Sequence, residues 1–476
     1  QKVYGVRAGV VGTPQGIRRF RDWVKSIQSP IFNDRSDAAN PYYPGFEALF
    51  GIKWDPEPSL SLSVDEKELE EAVRIADGHQ RVYATVDVYA QKIRRAIREE
   101  EAKVDVWFIV VPEEVYRYCR PNSRVPKEER IETEISLSEA KGKKIATSAP
   151  TMFGDINKAA VPYEYEINFH NQLKARLLDV QGVTHIVRES TIAPYKHLNG
   201  LGNLIRGLGG RQAEIAWNLS TTIFYKVGGR PWKTADIRDG VCYVGLVFKR
   251  DERHPDPRTA CCAAQMFLDS GDGVVFKGAL GPWYSPDKDE YRLPEEEAEK
   301  IARMAVKAYK EKNREKGGPG APPEEMFIHG KTDFGWEEWD GFKKGAAEET
   351  NVVAIKIRNA RDLKLFRQGD NPVLRGTAYH KNKKEAYLWT KGFIPRLQTY
   401  PGREVPNPLY VQISKGNVEL KTVLEDIMAL TKLNYNTCNF SDGKPVTLKF
   451  ADAVGEVLTA APLEDDPPPL PFRHYI

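Results

Sequence analysis

Residues 104–112, VDVWFIVVP, constrain the fold more than any other stretch of this 476-residue chain. The run is almost continuously apolar and stops at a proline. A strand with one wet face alternates apolar and polar residues. A continuous run must be buried on both faces, as in a parallel sheet sandwiched between helices. The neighbouring segments supply the other parts. VYGVRAGVVG (3–12) reads as a strand and GIRRFRDWVKSI (16–27) as a basic amphipathic helix, and a long charged helix is predicted over about 82–102. FHNQLKARLLDV (169–180) has apolar residues at helical spacing, and THIVRES (184–190) is a short strand. RQAEIAWNLSTTIFYKVGG (211–229) is a helix stopped by Gly228 and Gly229, where glycine accepts a left-handed cap. Alternating strands and helices predict a Rossmann-like α/β layer. Residues 120–165 read as a polar loop or insertion.

A second unit begins near Trp232. GVCYVGLVFKR (240–250), CCAAQMFLD (261–269) and VVFKGALGPW (274–283) read as three successive strands. The DSGDG between the last two makes a hairpin, with Asp269 and Asp272 as turn residues. A charged helix over 294–316 leads to EMFIHGK (325–331), a buried strand. NVVAIKIR (351–358), LYVQISKGN (409–417) and helices over about 419–434 and 445–460 follow. Three antiparallel strands, a helix and another strand is the order of a ribonuclease H-like domain. The tail DDPPPLPFRHYI (465–476) is expected to run extended over the surface.

Composition excludes several classes. No run of 18 apolar residues exists to span a membrane. The five cysteines are odd in number and form no CxxC pair, so neither a disulfide framework nor a zinc cage is expected, and a reducing cytoplasm is the simpler setting. The net charge of +3 leaves nucleic acid open, because clustering of Lys and Arg matters more than their total. A chain opening on Gln1 is expected to have lost its natural start, so a targeting segment upstream would not be seen.

Several motifs, in order, resemble one family. His170 and Lys174 in FHNQLK, Thr184 and His185 in THIV, and Lys226 in YKVGG resemble the residues with which Argonaute MID domains hold a guide's 5′ end. VGLVFKR, FIHGK and GKPVTLKFADAVGEVL stand where a PIWI domain has its first core strand, its His-Arg-Asp strand and its closing helix. YRYCRPNS, ACCAAQMFLDSGDG, VPNPLYVQISKGN and LTKLNYN particularly resemble short prokaryotic Argonautes paired with an NAD-degrading partner. The resemblance implies an N-terminal segment packing with MID (1–103), a MID domain (104–231) and a PIWI domain (232–476).

Each implied role meets the chemistry of its residues. A 5′-phosphate carries nearly two charges and needs cations and donors converging on its oxygens. His170 and Lys174, four apart, share a helical face. Lys226 ends its helix, where the dipole does not attract an anion, so its side chain must supply the charge. His185 replaces the glutamine of many relatives and donates in its place. In some relatives the chain end helps hold a metal here, so the Ile476 carboxylate is a candidate ligand for Mg²⁺.

The resemblance also implies an inactive nuclease. Metal-dependent cutting needs converging carboxylates; Val247, Lys331 and Asn436 stand at the positions where the family has its acids. Candidate contacts to the guide and target backbones are Arg188, Arg206, Arg211 and Arg230, with Lys196 and Lys233, on the MID side. Lys391, Arg396 and Lys415, with Lys381, Lys383 and Lys384, are the PIWI-side candidates.

The implied partners are a guide RNA, a complementary single-stranded DNA target and a TIR-APAZ effector that hydrolyses NAD⁺. The heterodimer would oligomerise on target binding. A sirtuin-like APAZ effector, a guided endonuclease and a silencing module that acts by occupancy are the alternatives. PYYPGFEALFGIKW (41–54) is either part of the partner face or a layer over the core.

Overall fold

The computed structural model describes residues 3–476 except 34–40, 100–101, 234–236, 252–258, 268–272, 286–288, 316, 401, 403, 439–441 and 463–469. The side chains of residues 260–265, 267 and 273–280 are likewise outside the described set, and so is the expected turn containing Asp269 and Asp272.

Two sheets organise the molecule. The first has four parallel strands, β1 (Ala8–Gly12), β2 (Leu60–Ser63), β3 (Val106–Val111) and β4 (Thr184–Arg188), in the order β2-β1-β3-β4. β3 is the apolar run, and all six of its residues are buried. Its alternate side chains serve two cores. Trp107, Ile109 and Val111 meet helices α2 (Gly78–Arg98) and α3 (Phe169–Ala175). Val106, Phe108 and Val110 meet α1 (Pro14–Ser26) and α4 (Gln212–Lys226). Each such side chain contributes about 1.5–3 kcal/mol when fully buried, which is why a strand here carries no polar residue.

Local signals set the helix ends. Thr13 caps α1, its Oγ1 accepting the Gly16 N–H at 3.0 Å, and Pro14 opens the first turn. Beyond α4, Gly228 takes φ +99°. Two of the four strands come from residues 1–103, so this segment supplies half the sheet. Most of the aromatics in residues 41–54 are core: Tyr43, Phe46 and Trp54 are fully buried, while Tyr42 is exposed. Residues 120–165 are less irregular than expected, holding helices Glu139–Thr147 and Gly154–Ala160.

The second sheet has eight strands. β5 (Val241–Arg250), β6 (Ala260–Phe267) and β7 (Gly273–Gly281) form the expected antiparallel meander. β8 (Glu325–Gly330) lies parallel to β5 and to β9 (Asn351–Asn359). A hairpin of β10 (Ala378–His380) and β11 (Glu385–Leu388), not anticipated from sequence, adds to β12 (Leu409–Lys415). The order is β10-β11-β12-β9-β8-β5-β6-β7. Helices α5 (Glu295–Glu315) and α6 (Trp336–Gly345) pack on one face, and α7 (Leu420–Leu430) and α8 (Val446–Leu458) on the other.

The described part of the tail, residues 470–476, departs from expectation; residues 465–469 lie outside the described set. Leu470, Phe472, Tyr475 and Ile476 are buried, not laid over the surface. They join the core beneath α7 and α8, which also takes in Ala175 and Leu178 from the first unit. Four apolar side chains in seven residues gain more from burial than an extended proline-rich course would give them.

Candidate nucleic-acid interface

The buried end of the tail lies against two lysines. Lys174 on α3 and Lys226 at the end of α4 both donate from Nζ to the main-chain oxygen of Ile476, each at 2.5 Å. Both also donate to the Thr184 carbonyl, Lys226 at 2.5 Å and Lys174 at 3.3 Å, and Lys174 reaches Thr184 Oγ1 at 3.3 Å. Thr184 opens β4, so one strand, two helices and the chain's last residue converge. The two ammonium groups are almost wholly buried and share their acceptors.

Burial sets their acidity. Loss of water pushes Lys174 down to about 7. Lys226 is also driven well below the usual lysine range, by burial first and then by Lys174. Two desolvated cations facing each other lower one another's charge unless an anion joins them. His170 and His185 belong to the same cluster. His185, on β4 against the Phe108 ring, is held neutral by burial and by Lys226, Lys174 and His170. His170 is exposed at the surface; the protein around its ring, then Lys174, lowers its pKa. Its Nδ1 sits 3.1 Å from Asn171 Oδ1. All four residues singled out from the sequence are thus brought together.

His474 was missed. It is buried, its Nδ1 has no hydrogen-bond partner among the described residues, and burial followed by Arg473, Lys174 and Lys226 holds it at about 4. The spacing of Phe472, Tyr475 and Ile476 at i, i+3 and i+4 was the signal that this tail packs as a turn and not as an extended strand.

Magnesium prefers hard oxygens in near-octahedral array. The oxygens converging here are those of Ile476 and Thr184, and lysine ammonium groups hold all of them. A divalent cation would compete with two ammonium groups for one set of acceptors. These residues do not fit a magnesium ion. Among the described residues no group of three or more His, Cys, Asp or Glu could hold a metal.

The other candidate cations do not gather at this pocket. Arg188 is at the far end of β4 from Thr184, about 13 Å away at 3.3 Å per residue. It pairs with Glu113 at 3.5 Å and lies 3.7 Å from the Tyr116 ring centre. Arg206 bonds Thr191 and Ser190 nearby, and Arg211 pairs with Glu214. Lys196 and Lys233 are exposed. Arg230 lines a cleft with Lys53, Lys307, Lys312 and Arg473. Lys391 lies against Gly443, Arg396 is exposed on a short turn, and Lys415 sits 3.5 Å over the Trp336 ring.

At the expected nuclease positions, β5 and β8 run side by side with Gly245 opposite His329. Val247 is buried in the apolar core. His329 Nδ1 lies 2.9 Å from Thr447 Oγ1. Lys331 is ion-paired with Asp452 of α8. Asn436 is exposed, in a turn whose Cys438 N–H donates to Asn218 of α4. Asp452, in the middle of the predicted closing helix, is the acid that faces Lys331, and sequence reasoning passed over it. Glu338 has a structural role: its carboxylate accepts the Gly335 N–H at the start of α6.

This architecture is the α/β MID–PIWI fold of Argonaute proteins. Solved structures similar to it include Clostridium butyricum Argonaute bound to a guide DNA and a 19-mer target DNA, at TM-score 0.57 and 15% identity, covering 98% of this chain and 50% of that one. Aa-Ago with externally bound siRNA is similar at TM-score 0.53 and 14% identity, covering 100% and 51%. A. aeolicus Argonaute gives 0.51 and 14%, covering 99% and 49%. The chain thus spans about half the length of these structures. No protein-family model and no curated protein sequence matches it.

Proposed function

We propose that this chain is the guide-binding subunit of a short prokaryotic Argonaute immune complex. It holds a 5′-phosphorylated guide RNA, pairs it with complementary single-stranded DNA without cutting, and activates a TIR-APAZ partner that depletes NAD⁺. The observation that carries the first part is the buried Lys174–Lys226 pair, two cations converging on one oxygen. A terminal phosphate is the group whose charge and acceptors match them. The solved Argonaute structures with bound nucleic acid support guide and target as ligands. Val247 and the Lys331–Asp452 pair support binding without cleavage, since a cation stands where a two-metal site would need free carboxylates. The RNA guide, the partner and the NAD⁺ output rest on the sequence resemblance.

The test starts with the protein from its native host. Its bound oligonucleotides are sequenced and their 5′ ends typed, and its co-purifying chains are identified by mass spectrometry. Short 5′-phosphorylated RNA and an NAD⁺-hydrolysing partner switched on by complementary DNA are expected. Oligonucleotides without 5′-phosphates, or guide-dependent cutting of the target in Mg²⁺ or Mn²⁺, would overturn the reading.

A further inference from the structure

We propose that the uncovered face of strands β10, β11, β12 and β9 is a platform for single-stranded nucleic acid. Tyr379 of β10 stands opposite Tyr387 of β11, Tyr387 opposite Tyr410 of β12, and Tyr410 opposite Arg358 of β9. The four side chains therefore form one row across four adjacent strands. Ring centres are 6.3 Å apart for Tyr379–Tyr387 and 5.5 Å for Tyr387–Tyr410, and the Arg358 guanidinium lies 4.8 Å from the Tyr410 ring. Alternate residues of the same strands, among them Ala386, Leu388, Val411 and Ile357, enter the core on the opposite face. The helices that cover the row's own face pack on Val352 and Ala354 but not on the outer part of the sheet. Tyr379 is 57% exposed.

Charge decides the occupant. Residues 356–384 carry nine Lys or Arg against two Asp or Glu, whereas the whole chain has an excess of three positive charges. Arg361, Arg367, Lys383 and Lys384 are exposed and have no ion-pair partner among the described residues. Three carboxylates beside the row are engaged: Asp362 accepts the Tyr387 hydroxyl at 3.0 Å, Glu385 pairs with Lys381, and Asp333 pairs with Lys356, while Asp370 is exposed. They fix the row and leave the rim basic. Unpaired bases stack on aromatic faces whatever their sequence, while cations follow the backbone. A duplex hides its base faces, so it would leave the tyrosines unused. A protein partner fits less well, because interface cores are poor in lysine.

This site is on the opposite face of the sheet from the core that holds Ile476, so it stands or falls apart from the 5′-phosphate reading. The test uses the full chain and 3′-labelled oligonucleotides with 5′-hydroxyl ends, which offer no terminal phosphate to the lysine pair. Tyr379→Ala/Tyr387→Ala is expected to weaken single-strand binding about tenfold or more. Replacing Arg361, Lys383 and Lys384 by alanine is expected to flatten the salt dependence by about 0.7 in log–log slope per lost phosphate contact. On the unaltered protein, ultraviolet crosslinking should place the oligonucleotide on the peptide containing Tyr379 and Tyr387. Unchanged affinity in the tyrosine variant, crosslinks confined elsewhere, or a blunt duplex binding as tightly as the single strand would overturn the proposal. So would a polypeptide held through these tyrosines while single strands are not.

Discussion

Lys174 and Lys226 set the charge at the pocket, sharing one oxygen of Ile476 while Lys174 disfavours the charge on Lys226. Replacing Lys226 by methionine removes a buried, disfavoured cation and keeps most of the volume. Thermal stability of the free protein is expected to rise or hold, whereas preference for a 5′-phosphorylated over a 5′-hydroxyl oligonucleotide should fall about ten- to hundredfold, from about 1.5–3 kcal/mol per charged hydrogen bond. Calorimetry and anisotropy on one sample check both signs; a Tm drop with unaltered preference would make the lysine purely structural. The pH response follows from the depressed Lys174. Its folded pKa of about 7 lies below the unfolded value of about 10.4. Between these the unfolded chain binds more protons, so free-protein stability should climb with pH across that window and lie flat below it. Phosphate binding should draw a proton back onto the lysine. Titration calorimetry above pH 7 in buffers of different ionisation enthalpy would show this uptake, and a heat independent of buffer would deny it. The lysines were legible in the sequence because their spacing and helix-end positions carry the chemistry. His474 and Asp452 were not. Lys174 is 302 residues from Ile476, and Lys331 is 121 from Asp452. Contacts at that range are fixed by packing, not by local pattern.

At the scale of elements, the parallel sheet was readable because β3 has no polar residue to spare for water. The β10–β11 hairpin was not, since strands of three and four residues with exposed lysines between them make too short a pattern. The two helices within residues 120–165 were hidden for a related reason: they are short, polar and only weakly sided. One glycine shows how tightly the second unit's layers are set. A Cβ on Gly245 would lie 2.0 Å from the Thr447 carbonyl oxygen, so β5 and α8 touch backbone to backbone there. Gly245→Ala is expected to push α8 outward and cost about 1–3 kcal/mol or more, as overpacking does. Chemical denaturation would measure the loss. Because His329 also lies 2.9 Å from Thr447 Oγ1, its ring should shift with the helix and alter the histidine NMR signal. An unperturbed signal with native stability would mean that the sheet and α8 pack more loosely than this contact requires.

The whole molecule is tied together at the tail. Tyr475 and Ile476 sit in a core shared by α7, α8 and residues from the first unit, and Ile476 presents its oxygen to lysines of that unit. Ending the chain at His474 should therefore do two things at once. It removes two buried side chains, each worth about 1.5–3 kcal/mol, and among the described residues it leaves Lys174 and Lys226 with Thr184 as acceptor. Stability should fall, and the remaining cations should depend more on an added anion. A ligand that binds only the folded state stabilises it by about 2.7 kcal/mol at a hundred times its Kd. A 5′-phosphorylated oligonucleotide should thus raise the melting temperature of the shortened chain, and more than its 5′-hydroxyl twin does. If the tail only fills space, the phosphorylated oligonucleotide will keep the same advantage in both chains. If the lysines need the Ile476 oxygen to stay aligned, the phosphorylated one will lose its advantage in the shortened chain and keep it in the full one. Scanning calorimetry of four samples, two chains with two ligands, separates these outcomes, and an advantage absent from both chains would remove the phosphate from the pocket altogether.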